Sequence, residues 1–208
     1  MNDLLVHAAF SLWRLVAGVA VSLIAGTVIG IALGYCEKPR KVFSPVIYVL
    51  APIPKIALLP LVMLLFGIGE LSKIFIIFLV MVFQIVLTVT GATLRVPPEY
   101  YIPSRVAGMG HWFVLRQIVF PAVLPELFTA VRIGLATGIS VLFFAETFGT
   151  RHGLGFYIMD MWMRLEYPKM ALGIGVLGLI GLVFTLITDF VERKVCKWKT
   201  TKNTSVWR

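Results

Sequence analysis

The chain has 208 residues, of which 59% are hydrophobic and only 14% charged, with a formal net charge of +9. A soluble domain is usually about 25% charged and about 45–50% apolar, so this composition excludes an ordinary water-soluble globule. The positive charge sits in short clusters at the ends of apolar runs, the pattern of membrane topology rather than of nucleic-acid binding.

The apolar excess is concentrated. Stretches 15–36, 74–94 and 171–188 contain no Asp, Glu, Lys or Arg. A spanning helix needs about 20 mostly apolar residues, because the hydrocarbon core is about 30 Å thick and each residue rises about 1.5 Å. Residues 1–10 carry no Lys or Arg and so lack the basic region of a cleaved signal peptide. The first apolar helix is therefore expected to remain in the mature protein.

In chain order, the first helix is expected over 10–35. Gly18, Ser22, Gly26, Gly30 and Gly34 recur along it every four positions, a stripe that lets a second backbone approach closely. Residues 36–41 form a tight basic turn. The next stretch, 42–69, carries Pro45, Pro52, Pro54 and Pro60 with Lys55 in its middle, too broken for one straight helix. Two readings stand: half-helices over 43–51 and 56–67 joined at a Pro-bounded break, or an interfacial segment followed by a short span. A third helix is expected over 71–93, a fourth from after Pro125 to near Phe148, and a fifth over 169–191. The segment 95–121 is cut by Pro97, Pro98, Pro103, Gly108 and Gly110. It is expected to lie at the membrane surface with short helices near 99–108 and 111–119. The fold class is thus an all-α integral membrane protein of about five spans, with a membrane domain over 6–192 and a basic tail over 193–208.

Lys and Arg bias orients such a bundle. One side collects Lys38, Arg40, Lys41, Arg95, Arg105, Arg116, Arg193, Lys194, Lys197, Lys199, Lys202 and Arg208; the other holds Arg14, Lys73, Arg151, Arg164 and Lys169. Twelve against five places the first side in the cytoplasm, with the N-terminus outside and the C-terminus inside. Cys36 and Cys196 then face the reducing side; far apart and each beside a basic cluster, they read as ordinary thiols.

No metal, nucleophile–base or P-loop signature is present. The scattered His7, His111 and His152 read as interface or loop residues. No catalytic residue, metal or cofactor is expected, and any ATP would be bound by a partner subunit.

From Arg105 the chain reads R-V-A-G-M-G-H-W-F-V-L-R-Q-I-V-F-P. With Gly108, Ile118, Phe120 and Pro121 at the family spacings, this resembles the cytoplasmic signature of binding-protein-dependent ABC permeases, E-A-A, three residues, Gly, nine residues, I-x-L-P. Where that signature has E-A-A, this chain has Ile102-Pro103-Ser104. The resemblance extends to the nitrate, sulfonate and taurine group. Ser11-Leu12-Trp13-Arg14 followed by Gly18 is similar to its S-L-x-R-x-x-x-G. Residues 52–61 are similar to its P-I-P-x-x-A-x-x-P-L, and Phe66–Glu70 to its F-G-I-G-E. Glu146 followed by Gly153-Leu154-Gly155 is similar to its E and G-L-G-Y. Members of that group usually have one more helix before this core.

The resemblance implies a type I importer permease that works by alternating access. Its partners would be cytoplasmic P-loop ATPase subunits, an extracytoplasmic solute-binding protein and a second permease subunit, with a homodimer expected. The ATPase-coupling residues would be Arg105, Gly108, Trp112, Ile118, Phe120 and Pro121. The exposed aromatics Tyr100, Tyr101, Trp112 and Phe113 suit a partner's groove, with insertion into the headgroup layer as the alternative. Candidates for the path are Gln84, Thr88, Thr137, Ser140 and Glu146, although a Thr or Ser hydroxyl also bonds its own helix. Arg132 and Glu146, near opposite ends of the fourth helix, suit local pairing or snorkelling as well as solute. The cargo expected from the resemblance is a small anion such as a sulfonate, taurine or nitrate. An ion-coupled transporter or channel is the alternative function, but no repeat and no mid-span carboxylate supports it.

Overall fold

A computed structural model describes the backbone of residues 2–198, in which every regular element is helical. The main elements are α1 (Asn2–Tyr35), α2 (Glu37–Leu50), α3 (Leu59–Phe66), α4 (Glu70–Leu94), α5 (Ile102–Val106), α6 (His111–Val114), α7 (Phe120–Thr147), α8 (Leu154–Met163) and α9 (Tyr167–Val195). Short 3₁₀ turns precede α3 and α5. Four runs, Asp3–Tyr35, Glu70–Leu94, His111–Thr147 and Tyr167–Val195, are each long and apolar enough to cross a bilayer. The pair α2–α3, bent by 86° at its break, makes a fifth.

The packing of α1 on α4 organises the bundle, and the glycine stripe sets its register. A Cβ on Gly18 would fall 2.6 Å from Ile77 Cγ2, one on Gly26 2.6 Å from Ile85 Cγ2, and one on Gly30 2.7 Å from Val89 Cβ; Gly34 meets Thr93 in the same way. Each pair is separated by 59 residues, so α1 and α4 run parallel with their turns in step. Absent side chains bring the backbones together closely enough for direct bonds between helices. Ser22 Oγ donates to Phe78 O at 3.3 Å, and Thr90 Oγ1 to Gly30 O at 3.2 Å.

Parallel neighbours require the intervening chain to return the full length of the bundle. Ile47 of α2 packs among Leu33, Val82 and Val86, and Lys55 at the break lies over the Phe83 ring. α2 therefore already climbs to the middle of α4 and completes with α3 one broken crossing. The break falls at Pro52 and Pro54, where two successive prolines deprive a helix of its donors. Lys55 Nζ donates to the freed carbonyls of Leu50 (2.7 Å) and Ala51. α3 then packs Leu59 and Val62 against Ile76, Val141 and Ala145.

α7 runs antiparallel to α4, pairing Ile77 and Met81 with Leu142 at one end, and Ala92 and Val96 with Val119 and Val123 at the other. α9 lies antiparallel to α7, where Gly181 accommodates Ile139. Arg132 donates to Asp189 at 2.6 and 2.9 Å and to Glu192 at 2.7 Å, which resolves its role as local pairing.

Four boundaries differ from expectation, and one helix is new. Residues 37–41, expected in a tight basic turn, are the start of α2, which begins at Glu37 rather than 43. α1 begins at Asn2, about two turns before residue 10, because 2–10 contains neither Pro nor Gly and His7 stacks on Phe156 and meets Tyr157 at a tilt. The fourth span does not wait for Pro125: a helical run from His111 to Thr147 continues through a π turn at Leu115–Val119. Pro121 lacks an N–H for the Gln117 carbonyl, which falls within this wider π turn. α8 was not expected at all, being only 10 residues long and preceded by Gly153. The fifth span runs to Val195, past residue 191, with Arg193 and Lys194 favourably placed in its last turn. Lys199, Lys202 and Arg208 of the basic tail lie outside the described residues.

Candidate functional site

The segment between α4 and α7 is built as an elbow. Pro97 and Pro98 stop α4 from continuing, and α5 ends in a Schellman turn: Met109 N–H donates to Ser104 O at 2.9 Å and Gly108 N–H to Arg105 O at 3.1 Å. Gly108 sits at φ +63, the left-handed position that this turn requires and that side chains disfavour. A glycine at this place in the sequence therefore has a backbone cause. Gly110 then starts α6.

The elbow is anchored on one side and bare on the other. Ser104 is buried, its Oγ donating to Tyr101 O at 2.8 Å. Tyr35 Oη bonds His111 Nδ1 at 2.9 Å, tying the end of α1 to the start of α6. Burial, helped by nearby Tyr35, pushes the Tyr101 phenol above its ordinary value. Val114 and Val119 enter the core shared with α4. The outer face carries Ile102, Val106, Met109, Trp112 and Phe113, with Val106 84% and Trp112 75% exposed. Arg105 lies on the same exposed surface.

The expected coupling residues thus separate. Arg105, Gly108 and Trp112 lie on the bare elbow. Ile118 packs against the core, Phe120 lines a groove beside α1, and Pro121 occupies the first turn of α7. The path candidates do not converge either. Gln84 and Thr88 are half-buried on α4, while Thr137 and Ser140 are exposed on α7. The hydroxyls of Thr137 and Ser140 both bond their own helix, at 3.1 Å to Gly134 O and 3.1 Å to Ala136 O respectively.

Glu146 belongs to a buried ionic junction at the opposite end of the bundle from the elbow. Arg14, 1% exposed, donates to Glu146 at 2.8 Å, to Glu70 at 2.5 and 2.6 Å, and to His152 O at 2.7 Å. Ser11 Oγ lies 2.8 Å from both Glu146 oxygens and accepts from Leu154 N–H at 2.7 Å. Gly155 N–H donates to Glu146 at 2.9 Å, and Gly153 N–H to His7 Nδ1 at 3.0 Å. The orphan donors at the start of α8 are therefore satisfied by side chains from α1 and α7. The glycines of G-L-G are required by space: a Cβ on Gly153 would stand 2.5 Å from Glu146 Cδ, and its φ is +133. Lys73, 1% exposed, lies alongside and donates to Gly69 O at 3.1 Å.

Ser11–Arg14, the turn ending at Glu70, Glu146 and Gly153–Gly155 were four separate motifs in the sequence. In the fold they are one structure. Sequence reasoning counted Arg14 among the charges of the outer side and weighed Glu146 as a path candidate or a locally paired charge; the structure shows the pairing. The missed signal was that these motifs carry balancing charges in segments whose helices must pack together.

Residues 22–197 match the family described as binding-protein-dependent transport system inner membrane component. The chain belongs to that family. It is an importer permease of the type I ABC class. The taurine transport system permease protein of Escherichia coli is 31% identical over 192 residues, covering 92% of this chain and 70% of that protein. A nitrate import permease protein of a Synechocystis species is 29% identical, covering 89% of this chain and 67% of that protein. A putative aliphatic sulfonates transport permease protein of Bacillus subtilis is 27% identical, covering 95% and 72%. Two crystal forms of inward-facing MetNI methionine ABC transporter share the fold. Their TM-scores are 0.70 and 0.77 at 24% and 19% identity, covering 88% and 94% of this chain and 93% and 97% of theirs.

Proposed function

We propose that this permease moves a small anion of the sulfonate, taurine or nitrate type into the cell, as one of two identical subunits around a central path. The observation that carries the coupling role is the bare apolar face of the elbow. Apolar side chains on a rigid, capped turn at the end of a membrane bundle fit insertion into a groove of a water-soluble partner. That partner is a pair of cytoplasmic P-loop ATPase subunits, which bind the ATP, with Arg105, Gly108 and Trp112 at the contact. Ile118, Phe120 and Pro121 act behind them, transmitting movement of the elbow into α7 through the π turn.

In this reading the elbow is cytoplasmic, the N-terminus outside and the C-terminus inside, as the basic residues favour. The ionic junction then lies near the outer face, where an extracytoplasmic binding protein would deliver solute. The path runs beside α4 and α7, with Gln84, Thr88, Thr137 and Ser140 as its polar points. Glu146 serves it indirectly by fixing α8. The anion preference rests on the relatives, whose names specify taurine, nitrate and sulfonates.

Deletion of 103–116 tests the coupling role. The variant should insert into the membrane but fail to co-purify with its ATPase; recovery of a normal complex would refute it. A binding assay on the cognate binding protein with taurine, alkanesulfonates and nitrate tests the cargo, and selectivity for a cation or neutral solute would refute that part.

A further inference from the structure

The face of α1 next to the elbow is open. Thr27, Val28, Ile31 and Tyr35 form one wall of a groove, and Leu115 and Phe120 of the α6–α7 run form the other. Its volume is about 530 Å³, within the range of about 300–1,000 Å³ common for ligand sites. Along α1 the wall from Thr27 to Cys36 extends about 14 Å, and from Trp112 to Phe120 about 12 Å. Half of the hydrocarbon thickness is about 15 Å. The groove is therefore nearly as long as one leaflet is deep.

The charged residue among those lining the groove is Arg116, midway between Trp112 and Phe120. It is exposed, with no ion-pair partner among the described residues. Lys38 stands two residues beyond Cys36, which closes the α1 wall. Trp112, at the rim, presents an indole of the kind favoured at membrane interfaces. No Asp or Glu lines the groove. An apolar slot bearing an exposed guanidinium without an ion-pair partner among the described residues is complementary to one chemistry in particular. Basic pockets between membrane helices hold anionic headgroups, and guanidinium is suited to phosphate oxygens.

We propose that this groove is a binding site for an anionic glycerophospholipid, with an acyl chain against Val28, Ile31, Leu115 and Phe120 and the phosphate on Arg116. The site adjoins the α6 end of the elbow, so an occupied groove braces the joint between α1 and α6 that Tyr35 and His111 also hold. It rests on membrane insertion and not on the identity of the cargo.

The test uses the intact permease in nanodiscs of mixed phosphatidylcholine and phosphatidylglycerol. Each lipid is supplied in turn with a photoactivatable group in its acyl chain, and crosslinks are mapped by mass spectrometry. Phosphatidylglycerol should label 28–31 and 115–120 in preference to the lipid-facing residues of α9. Arg116→Gln should lower that labelling about fivefold relative to phosphatidylcholine, the effect of one basic residue near a membrane surface. Arg116→Lys should retain most of it. Val28→Trp, which fills the slot, should reduce labelling by both lipids. Equal labelling of groove and α9, an unchanged preference in Arg116→Gln, or crosslinks from groove residues to a second protein chain would overturn the proposal.

Discussion

Arg14→Met should be among the most damaging single substitutions in this chain. It removes four hydrogen bonds, two to Glu70 and one each to Glu146 and His152 O. The two ion pairs are not equivalent. The Glu70 side chain is 45% exposed, so its pair is screened despite the shorter distance, and such pairs contribute about 0–1 kcal/mol. Glu146 is 0% exposed. Losing the partner of a buried charge costs about 3–5 kcal/mol, because the charge that remains is uncompensated. For a chain of this size that corresponds to a fall in melting temperature on the order of 10 °C. The assay is thermal denaturation of wild type, Arg14→Met, Glu70→Gln, Glu146→Gln and the double variant Arg14→Met/Glu146→Gln in one detergent. Glu70→Gln should cost about 1 kcal/mol or less. The double variant should be more stable than Arg14→Met, since Gln keeps an acceptor for Gly155 N–H and removes the buried carboxylate that had lost its guanidinium partner. The reasoning fails if Glu70→Gln is as damaging as Arg14→Met, or if the double variant loses the sum of the two single losses.

Other outcomes follow from individual contacts. Gly26→Val should cost at least about 1–3 kcal/mol by overpacking, since its Cβ would meet Ile85 Cγ2 at 2.6 Å; proteolytic sensitivity in membranes checks this. Gly108→Val should weaken ATPase co-purification more than Gly108→Asn, because Asn tolerates the left-handed region and nothing else crowds the site. Thr27 Oγ1 is buried without a hydrogen-bond partner among the described residues, so the near-isosteric Thr27→Val should leave thermal stability unchanged or raise it. For orientation, Cys36 is exposed and Cys196 buried. A membrane-impermeant thiol reagent should modify Cys36 in inside-out vesicles and spare it in intact cells, while Cys196 stays slow in both.

The spans were legible because a bilayer imposes a length on uncharged runs, and the glycine stripe because close helix packing leaves no other residue type that fits. The broken crossing at Pro52 and Pro54 was half legible. Proline marks the break, but only the parallel packing of α1 on α4 shows that the chain must cross there. α8 was invisible to run length, and the π turn hid the continuity of α6 with α7, since Pro121 and Pro125 read as stops. The ionic junction was legible in its parts and not in its assembly. Arg14, Glu70 and Glu146 are 56 and 132 residues from one another along the chain as measured from Arg14, and no local pattern links them. For the elbow, Gly108 signalled a turn, whereas the apolar face around Val106 emerges only when the turn is built.

The coupling role of that face is tested most directly by ATP-driven uptake in proteoliposomes containing the permease, its ATPase and its binding protein. Val106 touches solvent rather than the bundle, so Val106→Glu should leave membrane insertion and melting temperature unchanged. Uptake driven by ATP should fall to background in Val106→Glu and persist in Val106→Leu. Wild-type uptake by Val106→Glu, with a normal yield of the assembled complex, would contradict the account.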